Sequence, residues 1–216
     1  MKAKISWMVL GPVQTNCYIM ENTETHEAVV VDPGDNGRAI YRHIEESGLE
    51  LKGILLTHGH FDHILGLKDL ISAVREAKGN SELVIPVYAD AKEADLLSDG
   101  ELNCSGGCTV KPDKLLSDRE KFHLAGFEFV CLSTPGHTQG SCCFYVPAEK
   151  VLFSGDTLFA GSVGRTDLPT GSMGSLIRSI REKLLGLPDD TVVLPGHDSQ
   201  TTMGDEKKYN PYFHLQ

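Results

Sequence analysis

The sequence predicts a single mixed domain of the α+β kind, two sheets paired face to face with helices on the outside. Three patterns predict it. Short apolar, β-branched runs recur, and each ends in Gly, Pro, Asp or His. One-faced helical stripes lie between several of these runs. Residues 121–154 differ from the rest, with short strands joined by tight turns as in an antiparallel meander.

The elements follow in order. Strand-like runs are "EAVVVDPG" at 27–34, "LKGILLTHG" at 51–59, "ELVIPVYA" at 82–89, "VLFSGD" at 151–156 and "TVVLPGH" at 191–197. A helix is expected over 36–47, with Asp35 as its N-cap and Gly48 as its stop. Residues 64–79 place Ile64, Leu67, Leu70, Ile71 and Val74 on one stripe and end at Gly79. Residues 175–186 repeat the device, with Leu176, Ile177, Ile180 and Leu184 inward and Pro188 beyond. Meander strands are expected at 121–125, 127–133, 141–146 and 150–154.

The 216 residues suit one domain, and no low-complexity linker divides them, so residues 1–216 are read as one unit. The start has two lysines but only a four-residue apolar run before Gly11-Pro12, too short for a secretory signal core. No stretch has the length of a membrane span. A cytoplasmic location is the expectation. A net charge of −10 with scattered basic residues argues against nucleic-acid or anionic-membrane partners, which would favour a basic stripe. Cys142 and Cys143 are adjacent on a strand and point to opposite faces, so they cannot share a site. Cys104 and Cys108 form a lone C-x3-C without the second pair that marks a zinc ribbon. The six cysteines are read as ordinary thiols.

The chemistry lies in "LLTHGHFDHILG", which packs His58, His60, Asp62 and His63 directly after an apolar run. A single histidine beside a glycine is more often a turn residue than a ligand, and a lone Asp156 reads as a turn cap. The rest of the chain supplies partners at strand ends. His137 lies in "STPGHTQGS", Asp156 closes "LFSGD" and His197 closes "VVLPGH". Rigid strands position the loop residues at their ends, so these seven side chains converge if the strand ends share one edge. Asp32, in "VVVDPGD", is given a structural role at a strand end. His26, His43, His123 and His214 lack such context and are read as surface or packing residues.

Taken together, "VVVDPG", "THGHFDH", "TPGHTQGS", "SGDTLFAGSVGRTD" and "LPGH" resemble the metallo-β-lactamase fold superfamily, and within it the short glyoxalase II-type (hydroxyacylglutathione hydrolase-like) enzymes. The resemblance spans about Cys17 to Asn210. It implies an αββα sandwich with two metal ions at one edge. By it, His58, His60 and His137 hold one ion, Asp62, His63 and His197 hold the second, and Asp156 bridges them together with a water or hydroxide. Imidazole and carboxylate donors suit Zn²⁺, the favoured ion, and also Fe or Mn. Seven donors without a cysteine leave open positions, unlike a closed structural zinc site.

The activity implied is metal-assisted hydrolysis of a small anionic thioester such as S-lactoylglutathione, with Asp62 accepting the nucleophile's proton. No Ser-His-Asp or G-x-S-x-G pattern supplies a rival nucleophile. Arg165 falls where such enzymes carry a basic residue contacting glutathione, whereas Asp167 stands in place of their nearby aromatic. Only 19 residues follow His197, so the expectation is a chain without the helical glutathione-binding domain of full-length glyoxalase II. Rival readings are a mononuclear-iron persulfide dioxygenase, a lactone or other ester hydrolase of the same fold, and a metal-dependent binding protein without turnover. Oligomeric state is left open.

Overall fold

The computed structural model describes residues 2–214. The first sheet consists of β1 (Ala3–Leu10), β2 (Thr15–Asn22), β3 (Glu27–Val31), β4 (Glu50–Leu55), β5 (Val87–Asp90) and β6 (Lys114–Leu116), in that spatial order. The second begins with the meander β7 (Lys121–Leu124), β8 (Phe127–Ser133), β9 (Cys142–Val146) and β10 (Val151–Gly155). After a small hairpin of β11 (Leu158–Phe159) and β12 (Ser162–Val163), it is completed by β13 (Val192–Pro195) and β14 (Thr201–Thr202).

Alternating side chains define the layers. On β9, Cys142, Phe144 and Val146 face the core between the sheets, while Cys143 faces the outer core of the second sheet. Val29 and Val31 on β3 meet that same inter-sheet core, where Phe129, Phe144 and Phe153 are fully buried. Ala28 and Val30 turn outward beneath α1 (Gly37–Glu46) and α3 (Leu67–Lys78), which bury Ile40, Ile44, Leu67, Leu70 and Val74 there. The second sheet is covered by α5 (Met173–Ser179), with Leu176 against Leu152 and Val193. The result is the expected αββα sandwich.

Local details differ from the sequence expectation, and the helix expected over 64–79 begins only at Leu67. Asn36, not Asp35, caps α1, its side chain accepting from the Ala39 N–H at 3.3 Å. The strand expected at 82–89 forms only from Val87, because Pro86 has no N–H for a ladder bond. The third helix passes from α into a π-helical turn over Ile180–Leu184. Leu176, Ile180 and Leu184 are all buried, and a four-residue repeat exceeds the 3.6-residue α turn, so the wider turn keeps them on one face.

The topology places the candidate residues on one edge. β3 and β4 run parallel, as do β10 and β13, and β8 runs antiparallel to β9, which is antiparallel to β10. The C-terminal ends of β3, β4, β8, β10 and β13 therefore open on the same side. There the sheets are tied by backbone bonds from Cys142 N–H to Thr57 C=O at 2.9 Å and from Asn16 N–H to Gly196 C=O at 2.7 Å. Among the described residues, no helix is long and apolar enough to cross a membrane.

Candidate metal centre

All seven sequence-predicted donors meet at that edge, in groups suited to metal ions: His58, His60 and His137; Asp62, His63 and His197; and His58, His63 and Asp156. His58 and His60 sit in the loop after β4, and one helical turn, α2 (Phe61–Ile64), turns Asp62 and His63 back toward them. In the first triad His137 Nε2 lies 3.1 Å from His58 Nε2 and 2.8 Å from His60 Nδ1. In the second, Asp62 Oδ2 lies 3.2 Å from His197 Nε2 and 3.5 Å from His63 Nε2. Asp156 stands between them, its Oδ1 3.4 Å from His63 Nε2 and its Oδ2 3.5 Å from His137 Nε2 and 3.6 Å from His197 Nε2. Gly196 permits this approach, since a Cβ there would overlap Asp156 Oδ1 and stand 2.7 Å from His63 Cε1.

The partners of the far ring nitrogens fix the tautomers. A backbone carbonyl can only accept, so His137 Nδ1–H donates to Arg165 C=O, 2.7 Å away. The Thr57 hydroxyl donates to Asp32 Oδ2 at 2.6 Å and so accepts from His58 Nδ1–H at 3.2 Å. His63 Nδ1–H donates to the same Asp32 oxygen at 2.9 Å. Each of these rings therefore aims an Nε2 lone pair into the cluster, the outer-shell arrangement of metal-binding histidines. His60 Nε2, His63 Nε2 and Asp156 Oδ1 are buried without a hydrogen-bond partner. The His58 and His137 Nε2 lone pairs, 3.1 Å apart, repel unless a cation lies between them. Their spacing is on the scale of the about 3.3 Å edge of a tetrahedron with zinc–nitrogen bonds of about 2.0–2.1 Å. The donor set fits divalent ions.

Electrostatics divides the set. Burial pushes His58 and His137 below the ordinary histidine range and His60 down to about 4, with neighbouring imidazoles adding to the effect. Burial alone would also lower His63 and His197, but Asp32, Asp156 and Asp62 around His63, and Asp62 and Asp156 beside His197, outweigh it and raise both. Burial would raise Asp62 and Asp156, yet the imidazoles, His63 foremost, hold both below the usual carboxylate range. One triad thus binds protons more weakly than free imidazole, and the other, a mixture of imidazole and carboxylate, binds them more strongly.

Val13, Phe61, Cys104, Arg165 and Leu168 complete a cavity of about 160 Å³ above His60, Asp62, His137, Asp156 and His197. Two larger clefts, of about 510 and 460 Å³, flank α3, and neither is lined by a histidine. The Arg165 guanidinium pairs with both Asp167 oxygens at 2.7 Å, and both side chains are exposed. Cys104 joins the cavity wall but Cys108 does not. Three supports escaped the sequence reading: Asp32 as a partner of His63, Thr15 donating to Asp62 Oδ2 at 2.8 Å, and the Arg165 carbonyl. Of these only Asp32, a carboxylate at a strand end, left a signal.

The metallo-beta-lactamase superfamily pattern matches residues 10–197. The chain is 40% identical over 211 residues to a Bacillus subtilis (strain 168) protein named probable metallo-hydrolase YqgX, covering 95% of each. It is 38% identical over 208 residues to the Haemophilus influenzae protein named hydroxyacylglutathione hydrolase GloC, covering 92% of each. Among solved structures it is similar to the BLEG-1 B3 metallo-beta-lactamase, with 41% identity and a TM-score of 0.86 over 98% of this chain and 100% of that one. It is also similar to TTHA1623 in a di-iron-bound form, with 36% identity and a TM-score of 0.79 over 96% of this chain and 99% of that one.

Proposed function

Because the chain belongs to the metallo-β-lactamase superfamily, we propose that this metallo-hydrolase carries two divalent ions and cleaves small anionic thioesters, S-lactoylglutathione being the type substrate. The observation that carries the reading is the placement of Asp156 between two complete triads beneath an open cavity. His58, His60 and His137 would hold one ion and Asp62, His63 and His197 the other, with Asp156 placed beside both groups. Bound there, the ions supply a Lewis acid for the acyl carbonyl and lower the pKa of water from ~15.7 toward ~7. Zinc is the favoured metal, and iron suits the same donors.

The chain's own residues do the rest. Asp62, ionised at neutral pH, is the proton acceptor facing the cavity. Val13, Phe61 and Leu168 form an apolar wall that displaces water from the acyl group. Arg165 presents a cation at the rim for an anionic substrate, tempered by Asp167. A thiolate leaves without prior protonation, so the cavity needs no strong acid. The hydroxyacylglutathione hydrolase name of the 38% identical relative points the same way.

A second reading, β-lactam hydrolysis, rests on the 41% identical structure named a B3 metallo-beta-lactamase. It asks more of this site, because an amine must be protonated as it departs. No lysine or tyrosine lines the cavity among the described residues. The deciding experiment is metal analysis of untreated protein followed by three assays: thiol release from S-lactoylglutathione, hydrolysis of a chromogenic cephalosporin, and oxygen uptake with glutathione persulfide. Two ions per chain with thiol release carry the proposal. One ion with oxygen uptake moves the protein to the dioxygenase reading.

A further inference from the structure

Glu93 has no exposed surface, and its carboxylate hydrogen bonds go to none of the seven donors. It closes the 3-10 turn Ala91–Glu93 after β5, directly before α4 (Ala94–Ser98). Its carboxylate bridges two loops. Oε1 accepts from the Gly59 N–H at 2.8 Å, and Gly59 lies between His58 and His60. Oε2 accepts from the Gly140 N–H at 2.9 Å, in the loop that His137 begins. The Thr138 hydroxyl, next to His137, stands 2.8 and 3.0 Å from the two oxygens. The fit is close, since a Cβ at Gly140 would overlap the Glu93 backbone nitrogen. Burial pushes the Glu93 carboxyl up to about 7, and the three donors pull the other way.

A carboxyl group meets this arrangement without conflict. Each oxygen faces a backbone N–H, so both must accept. Glutamine would turn its amide N–H₂ toward one of them and set donor against donor. Aspartate is one methylene short of spanning the same two loops. A buried carboxylate is costly unless hydrogen-bonded, and all of its bonds here go to the loops that carry His58, His60 and His137.

We propose that Glu93 is a positioning residue for the His58–His60–His137 triad, a buried clamp that sets the spacing of these three nitrogens and hence the affinity for the ion between them. This rests on the reading that the triad holds an ion. Glu206 provides a matched control. It is a carboxylate 3% exposed that accepts from Gly161 N–H at 2.9 Å, Thr201 Oγ1 at 2.7 Å and Asn210 Nδ2 at 2.7 Å, away from all three histidines' loops.

The test uses the full chain loaded with zinc, chelator competition to obtain the affinity of each ion, and the visible absorption of the cobalt-substituted protein. His137→Ala first identifies which ion belongs to the triad. If that variant still binds two ions with unchanged affinity, the triad reading falls and this inference with it. Otherwise Glu93→Gln weakens that ion by about 10–100-fold, the usual effect of losing an outer-shell partner. It also shifts the triad's cobalt band and leaves the other ion's affinity unchanged. Glu206→Gln changes neither affinity, whatever it does to the melting temperature. Wild-type affinity and spectrum in Glu93→Gln, or the same selective loss in Glu206→Gln, would overturn the clamp. If Glu93→Gln does not fold, Thr138→Val removes one of the three donors, and it must weaken the same ion for the inference to stand.

Discussion

Asp32 Oδ2 accepts from His63 Nδ1–H at 2.9 Å while the same carboxylate holds the Thr57 backbone and hydroxyl, in a pocket where Asp32 and His63 are both buried. A residue that reads in the sequence as a strand-end turn therefore fixes the tautomer and rotation of a metal-facing imidazole. Its backbone lies in the left-handed region, φ 52°, which aspartate tolerates better than most residues.

Asp32→Asn places an amide N–H₂ against the donors of His63 and Thr57. The expected outcome is a loss of about 10–100-fold in affinity for the ion proposed to lie among Asp62, His63 and His197, with a parallel fall in activity. Competitive chelation on the purified variant checks it. Unchanged affinity would show that His63 is oriented without Asp32.

Asp156→Ala separates a shared ligand from a turn cap. A capping role is worth ~0.5–2 kcal/mol of stability and spares turnover. The position between both triads predicts instead that both ions and the activity are lost together. Elemental analysis beside a rate measurement decides, and retained metal with a near-normal rate refutes the shared role.

The two triads differ in how ion binding depends on pH. Burial lowers His58, His60 and His137, His60 to about 4, so in the ion-free protein they hold protons more weakly than free histidine. An ion entering there displaces little proton. His63 and His197 are raised by their carboxylates, so they retain protons at a pH where free histidine has lost them. An ion must displace those protons, and its affinity climbs as pH rises. Titration calorimetry in buffers of different ionisation enthalpy counts the protons. Equal release at both sites would contradict the division.

Arg165 and Asp167 are predicted to act on substrate affinity rather than on the chemical step. Arg165→Ala raises KM for an anionic thioester several-fold with little change in kcat, since a rim contact serves ground and transition states alike. Asp167→Asn frees the guanidinium from its bidentate partner and lowers KM. Steady-state kinetics at two ionic strengths test both, the second effect shrinking in high salt. A rise in KM for Asp167→Asn would mean that the pair, not the free cation, binds substrate.

The donor set was legible because its signal is local. His58, His60, Asp62 and His63 lie within six positions after a strand, His137 sits in a turn after another, and Asp156 and His197 each close an apolar run. The meander was legible from alternation and tight turns, and β8 runs over Phe127–Ser133 as expected. The hairpin of β1 and β2 was not, because β1 is an edge strand with Trp7 and Val9 exposed, while β2 is buried on both faces and shows no alternation. Glu93 was hidden for another reason. In "DAKEADLLSDG" it looks like one more surface charge, and its partners Gly59 and Gly140 lie 34 and 47 positions away. Hydrogen bonds over such separations leave no periodic trace.

Each triad is assembled across the sandwich, two donors coming from the loop and the helical turn α2 that follow β4 and the third from the opposite sheet, His137 in one case and His197 in the other. On the proposed ligation, each ion is therefore a cross-link between the two halves of the chain as well as a reagent. An ion present at 1,000 times its Kd adds about 4 kcal/mol to stability by mass action, a large fraction of a typical domain's margin. Starvation for metal then disarms and loosens the molecule in one event. On that ligation the metal-free chain would also be the one more open to proteases, so ion supply would set how much of the protein persists as well as whether it works.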